Sequence, residues 1–116
     1  MVVSKKFQEI FKLKEMLEKA EIPFEWNKDW GYTGKELEEI KSYLPGFEWY
    51  QIGYPKLNDS CRVLSAVEGT GTHGSEEDLI EIMGLLTFDE QHDDSVLGYL
   101  TAEEVFNRIQ NHYEKK

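Results

Sequence analysis

The sequence predicts an α+β domain: a small antiparallel sheet of about three strands, packed by an N-terminal and a C-terminal helix. Three observations predict it. Apolar residues recur at helical spacing near both ends, alternate with period two in the middle, and are separated by Pro, Gly and Asn-Asp punctuation. A chain of 116 residues suits one domain with one core. We therefore read residues 1–116 as a single domain, with 27–46 as an inserted helical loop.

The first helix is expected from Ser4 to Ala20. Phe7, Ile10, Phe11, Met16, Leu17 and Ala20 fall at helical spacing with Lys and Glu between them, and Ser4 is a fair N-cap. Ile22–Trp26 reads as a short strand, with Pro23 at its start. In the insertion, Thr33 and Glu36 form a capping-box pattern. Leu37, Ile40 and Leu44 then mark one helix face, which Pro45-Gly46 stops.

Trp49 to Tyr54 alternates, with Tyr50, Ile52 and Tyr54 on one side. A turn at 56–60 leads to a strand from Arg62 to Glu68, whose apolar mix implies burial on both faces. The two strands are expected to pair as an antiparallel hairpin. Leu79, Ile82, Met83 and Leu86 form a stripe that predicts a buried helix, followed by an acidic loop from Phe88 to Ser95. Val96–Leu100 is a short strand or extended link. Thr101-x-x-Glu104 is a second capping box, opening a helix with Val105, Phe106, Ile109 and Tyr113 on one side.

The net charge is −10, and it is uneven. Residues 1–57 hold 10 acids against 9 lysines, whereas 58–116 hold 13 acids against 4 basic residues. Such a surface repels nucleic-acid phosphates and suits solubility, a cation or a basic protein partner. No apolar run approaches the roughly 20 residues that span a bilayer. The stretch from Met1 to Phe7 lacks the apolar core of a signal peptide, and the lone Cys61 has no disulfide partner. These features point to the cytoplasm.

Gly69-Thr70-Gly71-Thr72-His73-Gly74 matches G-x-G-x-x-G between an expected strand and an expected helix. Glycines let backbone approach a phosphate, and Thr70, Thr72 and Ser75 add hydroxyls; His73 adds a donor or a stacking ring. A dinucleotide fold is nonetheless excluded, because no βαβ unit follows and Glu76, Glu77 and Asp78 crowd the first helical turn. Two readings stand open: a strand-to-helix turn with Ser75 as N-cap, and a loop that touches ligand.

Asp89–Asp94 fits neither an EF-hand nor a zinc ligand set, so it is read as a solvated loop. Trp26, Trp30, Tyr32, Trp49, Tyr50 and Tyr54 cluster near the strands and the insertion. Of these, Trp30 and Tyr32 are the better candidates for stacking a base or anchoring a partner. No Ser/His/Asp order, Cys/His pairing or metal set stands out, so the chain is expected not to be an enzyme and to need no cofactor or metal.

The segments Leu13–Ala20, Tyr50–Pro55, Leu79–Thr87 and Leu97–Phe106 resemble small proteins of phages and prophages of Gram-positive bacteria. The resemblance covers most of the chain except 27–46. It implies an accessory factor acting in the host bacterial cytoplasm, in a class that counters bacterial immunity. Such a factor either sequesters a nucleotide-derived immune signal or acts as an acidic inhibitor that fills a nuclease's groove. For the first, the expected contacts are Trp30, Tyr32, Tyr54, Arg62, Thr70, Gly71, Thr72, His73 and Ser75, with a homo-oligomer closing the pocket. For the second, the acidic second half mimics nucleic acid.

Overall fold

The computed structural model describes residues 5–55, 62–72, 74–86, 90 and 96–115; the Trp30 side chain lies outside that description. The chain is α+β. Helix α1 (Gln8–Lys19) is followed by β1 (Glu25–Lys28), a 3-10 turn at Asp29–Gly31, and α2 (Gly34–Tyr43). Then come β2 (Trp49–Tyr54), β3 (Leu64–Gly69), a 3-10 turn at Ser75–Glu77, β4 (Ile80–Met83), β5 (Val96–Leu100) and α3 (Ala102–Glu114). Among the described residues the sheet has five strands in the order β1-β2-β3-β4-β5, each antiparallel to its neighbours. The sequence-based expectation of about three strands is corrected to five.

In α1, Ile10, Leu13 and Leu17 are wholly buried. Each such side chain contributes roughly 1.5–3 kcal/mol by leaving water. The helix starts at Gln8, later than expected, and Ser4 lies outside the described residues. Phe7 occupies the N-cap position and has no side-chain oxygen to offer. At the other end, Glu21 takes a left-handed conformation (φ 58°) and Ile22 N–H donates to the Leu17 carbonyl, which terminates the helix. The first strand then begins at Glu25, three residues beyond the expected Ile22.

The expected hairpin is present as β2 and β3, with Ile52 opposite Ala66 and Tyr50 opposite Glu68. Burial on β3 alternates: Leu64, Ala66 and Glu68 face the core, while Ser65 and Val67 are half-buried. The expectation of burial on both β3 faces is thereby corrected. Helix α1 lies over β2 and β3, α3 over β4, and the two helices touch each other. One sheet face therefore carries the whole core, from Ile10 and Leu17 through Ile52, Leu64 and Ile82 to Val105 and Ile109.

The expected helix at 79–86 is the strand β4, with Ile80 and Ile82 buried and Glu81 and Met83 facing away. A short apolar run reads equally well as either element, and Gly84 decides it. Its φ is +99°, and a Cβ placed there would lie 2.1 Å from the Val63 carbonyl oxygen. The chain must leave the sheet at that glycine. The second capping box is present in full. Glu104 N–H donates to Thr101 Oγ1, and Thr101 N–H to Glu104 Oε1, each at 3.2 Å.

In the insertion, α2 begins after Thr33 as expected, yet that side chain makes no cap bond and no α2 residue is buried. Phe11, Trp26 and Tyr50 instead form the aromatic packing at this end, with ring centroids 4.8–5.7 Å apart. No helix among the described residues is long and apolar enough to cross a membrane.

Gly84→Ala separates the strand from the helix directly. Alanine in a helix interior would stabilise the fold by about 1 kcal/mol. At this strand end it is expected to destabilise by more than about 2 kcal/mol, from backbone strain and overlap with Val63. Urea denaturation reads the difference.

Candidate functional site

The described residues enclose a cleft of about 450 Å³ between the approach to α1 and the β3–β4 connection. Lys6 and Phe7 form one wall, and Thr70, Gly71, Thr72 and Gly74–Glu77 the other. Tyr99 of β5 closes one side. Its volume lies within the range of small-molecule sites. Four of the expected contact residues, Thr70, Gly71, Thr72 and Ser75, thus meet in one concavity.

The three described glycines of the motif have structural reasons of their own. Gly69 packs so closely against β2 that a Cβ would fall 2.6 Å from both the Glu48 carbonyl oxygen and Trp49 Cα. Gly71 has φ +89° with open space around it. Gly74 has φ +98° and sits 3.0 Å, measured from a built Cβ, from the Tyr99 backbone nitrogen. The loop is also bonded to itself. Thr72 Oγ1 accepts from Gly69 N–H (3.1 Å) and donates to the Gly69 carbonyl (2.9 Å). Thr70 Oγ1 accepts from Glu48 N–H at 3.2 Å, so its own O–H remains a donor. The residues after the motif make a single 3-10 turn where a helix was expected, and Ser75 is its first residue, not an N-cap.

Tyr99 was not singled out from the sequence. It is 60% exposed and holds φ +62°, an outlier for a bulky side chain. Backbone strain of that kind costs on the order of 1–3 kcal/mol and concentrates at functional positions. The cleft's charge comes from Lys6 against Glu76 and Glu77. Two carboxylates beside one ammonium disfavour a polyphosphate and favour hydroxyl or cationic groups.

The remaining expected contacts lie elsewhere. Tyr54 is fully buried in the core and its hydroxyl is hydrogen-bonded to His112 Nδ1 at 2.8 Å. Burial also pushes its ionisation above the ordinary phenol value. Arg62 lies over Gly53 and pairs with Glu25 at 3.6 Å, spanning β1 and β2 on the sheet face away from the core. Tyr32 follows the 3-10 turn after β1 and does not line the cleft. His73 and the Trp30 side chain are outside the described residues, as are Asp89, Asp93 and Asp94. Glu90 of that acidic stretch accepts a bidentate ion pair from Arg108, at 2.6 and 2.7 Å, instead of standing solvated.

The least expected feature lies beneath the cleft. Glu68 is fully buried, at a core-facing position of β3. Its Oε1 accepts Ile10 N–H at 3.0 Å. Asp78 Oδ1 accepts the N–H groups of Gln8 (2.8 Å) and Glu9 (3.1 Å). Two carboxylates some 60–70 residues along the chain therefore cap α1, whose own N-cap residue cannot. Glu68 Oε2 receives no donor among the described residues, and Asp78 stands near enough to raise the Glu68 pKa. Contact between two acids is attractive only when they share a proton. Burial, then Asp78, push the Glu68 pKa up from 4.5 to about 9, against the lowering effect of the Ile10 amide.

Among the described residues, no group of three His, Cys, Asp or Glu side chains is arranged to hold a metal. Comparison with protein-family models, curated proteins and solved structures gives no significant match. The chemistry available to the cleft is hydroxyl, carboxylate, ammonium and aromatic contact.

Glu68 carries a pH signature. Its pKa is higher folded than unfolded, so the stability it contributes is complete below about pH 4.5 and is lost as pH rises to about 9. Between those limits stability is expected to fall by up to about 1.4 kcal/mol per pH unit from this group. Glu68→Gln keeps the acceptor for Ile10 and gives Asp78 a permanent donor. It is expected to flatten the decline and to be the more stable protein at pH 8, which denaturant titrations at several pH values will show.

Proposed function

We propose that this chain is a binding protein that sequesters a small nucleotide-derived ligand in the cleft without turning it over. One observation carries the reading: Thr70, Gly71, Thr72 and Ser75 converge with the exposed Tyr99 on a single cleft of about 450 Å³. Tyr99 offers a face for a base, worth roughly 1–3 kcal/mol per stacked ring. The Thr70 and Ser75 hydroxyls supply hydrogen bonds, and Glu76 and Glu77 suit ribose hydroxyls, as acidic residues do in nucleotide sites. Lys6 lines the cleft beside Glu76 and Glu77. Among nucleotide-derived ligands, that charge balance favours those with the least phosphate per nucleoside.

The setting we propose is that of a phage-encoded accessory protein in the host cytoplasm, holding an immune signal of ADP-ribose-like or cyclic-nucleotide type. A second copy of the chain closing the open side belongs to the same proposal. The alternative, an acidic inhibitor mimicking nucleic acid, rests on the charge excess after residue 57. It predicts a basic protein partner whose affinity falls steeply with salt.

Thermal-shift and calorimetric titration with nucleosides, mononucleotides, ADP-ribose and cyclic dinucleotides distinguishes these. At least one nucleoside-containing ligand is expected to bind stoichiometrically and to be recovered unchanged. Tyr99→Ala is expected to weaken it by about tenfold or more, in line with loss of one stacked ring. Silence across the panel, with salt-sensitive capture of a basic protein, would replace the sponge by the inhibitor. Product in place of ligand would make the chain an enzyme.

A further inference from the structure

The cleft's two walls are joined by the acid pair beneath them. Glu68 precedes the glycine loop and Asp78 follows its last turn, so the two bracket the wall that carries Thr70–Thr72 and Gly74–Glu77. Both acids reach to Gln8, Glu9 and Ile10. Those residues directly follow Lys6 and Phe7, the opposite wall. The hydrogen bonds from α1 to this pair are therefore ties from one wall to the other.

We propose that a single proton shared by Glu68 and Asp78 locks the two walls together, so that its loss opens the cleft and binding there is linked to proton uptake. The linkage rests on the cleft being the binding site; the lock itself does not.

The surroundings of Glu68 carry the argument. The charged groups acting on it are both acidic, Asp78 from the connection and Glu9 from α1. Opposite it on β2 stands Tyr50, whose hydroxyl donates to Glu48. The nearby lysines of α1 are committed to other carboxylates, Lys12 to Glu103 of α3 and Lys14 to Glu18. The start of α1 offers three N–H groups and the positive end of its dipole, a fair match for one carboxylate charge but not for two. With the proton, the acids attract; without it, a buried Glu68 charge faces the half-exposed Asp78 charge. Glu9 Oε1 also accepts Ala102 N–H at 2.8 Å, which ties α1 to α3. In the loop wall, Gly71 sits at positive φ with open space around it.

The test needs no ligand. Carbon-detected NMR of the full chain from pH 6 to 10 follows backbone carbonyl resonances of residues 8–10 and of Thr70, Gly71 and Gly74. Both groups are expected to shift with one common midpoint near pH 9. In Glu68→Gln that common transition should vanish. In Asp78→Asn the amide donates to the Glu68 carboxylate, and the midpoint should fall by at least about one unit. Titration of residues 8–10 with no response from the loop overturns the lock, as does a wild-type midpoint that survives in either variant. A negative ligand panel leaves this result readable, and a failed lock leaves the ligand panel standing.

Discussion

Helix α1 starts with a phenylalanine where a capping side chain belongs, and its first turn runs from the exposed Gln8 to Ile10, buried against the sheet. The N–H groups of Gln8, Glu9 and Ile10 need acceptors, and that of Ile10, the buried one, would cost roughly 1–3 kcal/mol if left unpaired. Glu68 and Asp78 remove that cost by accepting all three. Because those acids lie at the end of β3 and just before β4, capping α1 also fixes where the helix sits on the sheet. Glu9 then reaches from the same turn to the first amide of α3. Helices α1 and α3 and the middle of the sheet are thus joined at one polar junction, buried at Glu68 and open to solvent at Gln8.

That junction gives the glycine-rich segment a different meaning from the one its pattern invites. Its glycines serve a close approach to β2 at Gly69, a left-handed turn at Gly71 and a tight passage beside Tyr99 at Gly74. Together they bend the chain so that Glu68 and Asp78 arrive at the same helix end. The cleft is a by-product of that bend, bounded by the helix approach on one side and the loop on the other. Its acidic rim follows from the same segment, where Glu76 and Glu77 stand before the capping Asp78.

Much of this fold is legible in the sequence. Alternation from Trp49 to Tyr54 marks β2: Tyr50, Ile52 and Tyr54 are buried, while Trp49 and Gln51 are half-buried. Thr101 and Glu104 mark the start of α3 because both partners of the capping box are local. β4 is hidden because Leu79–Leu86, apolar except at Glu81 and Gly84, satisfies a helical stripe as readily as a strand; Gly84 is the residue that marks its end. The loop half of the cleft was readable from its residue types. Tyr99 was not, since its prominence comes from a backbone bend at a sheet edge. Tyr54 and Arg62 lie away from the cleft, Tyr54 in the core and Arg62 over Gly53, and residue type alone does not show this. Glu68 left a trace, an acid in register with Leu64 and Ala66 on the core side, but its partner Asp78 is local in neither sequence nor motif.

The account turns on one carboxyl group remaining protonated inside the fold at neutral pH. Carbon-13 NMR of the Glu68 side-chain carboxyl across pH 3 to 10 measures this without inference from stability or binding. The expected result is a resonance that stays at the protonated position through neutrality and titrates near pH 9. A midpoint in the ordinary carboxylate range, near 4.5, would mean that α1 is capped by two charges, and that the shared proton at the centre of this structure does not exist.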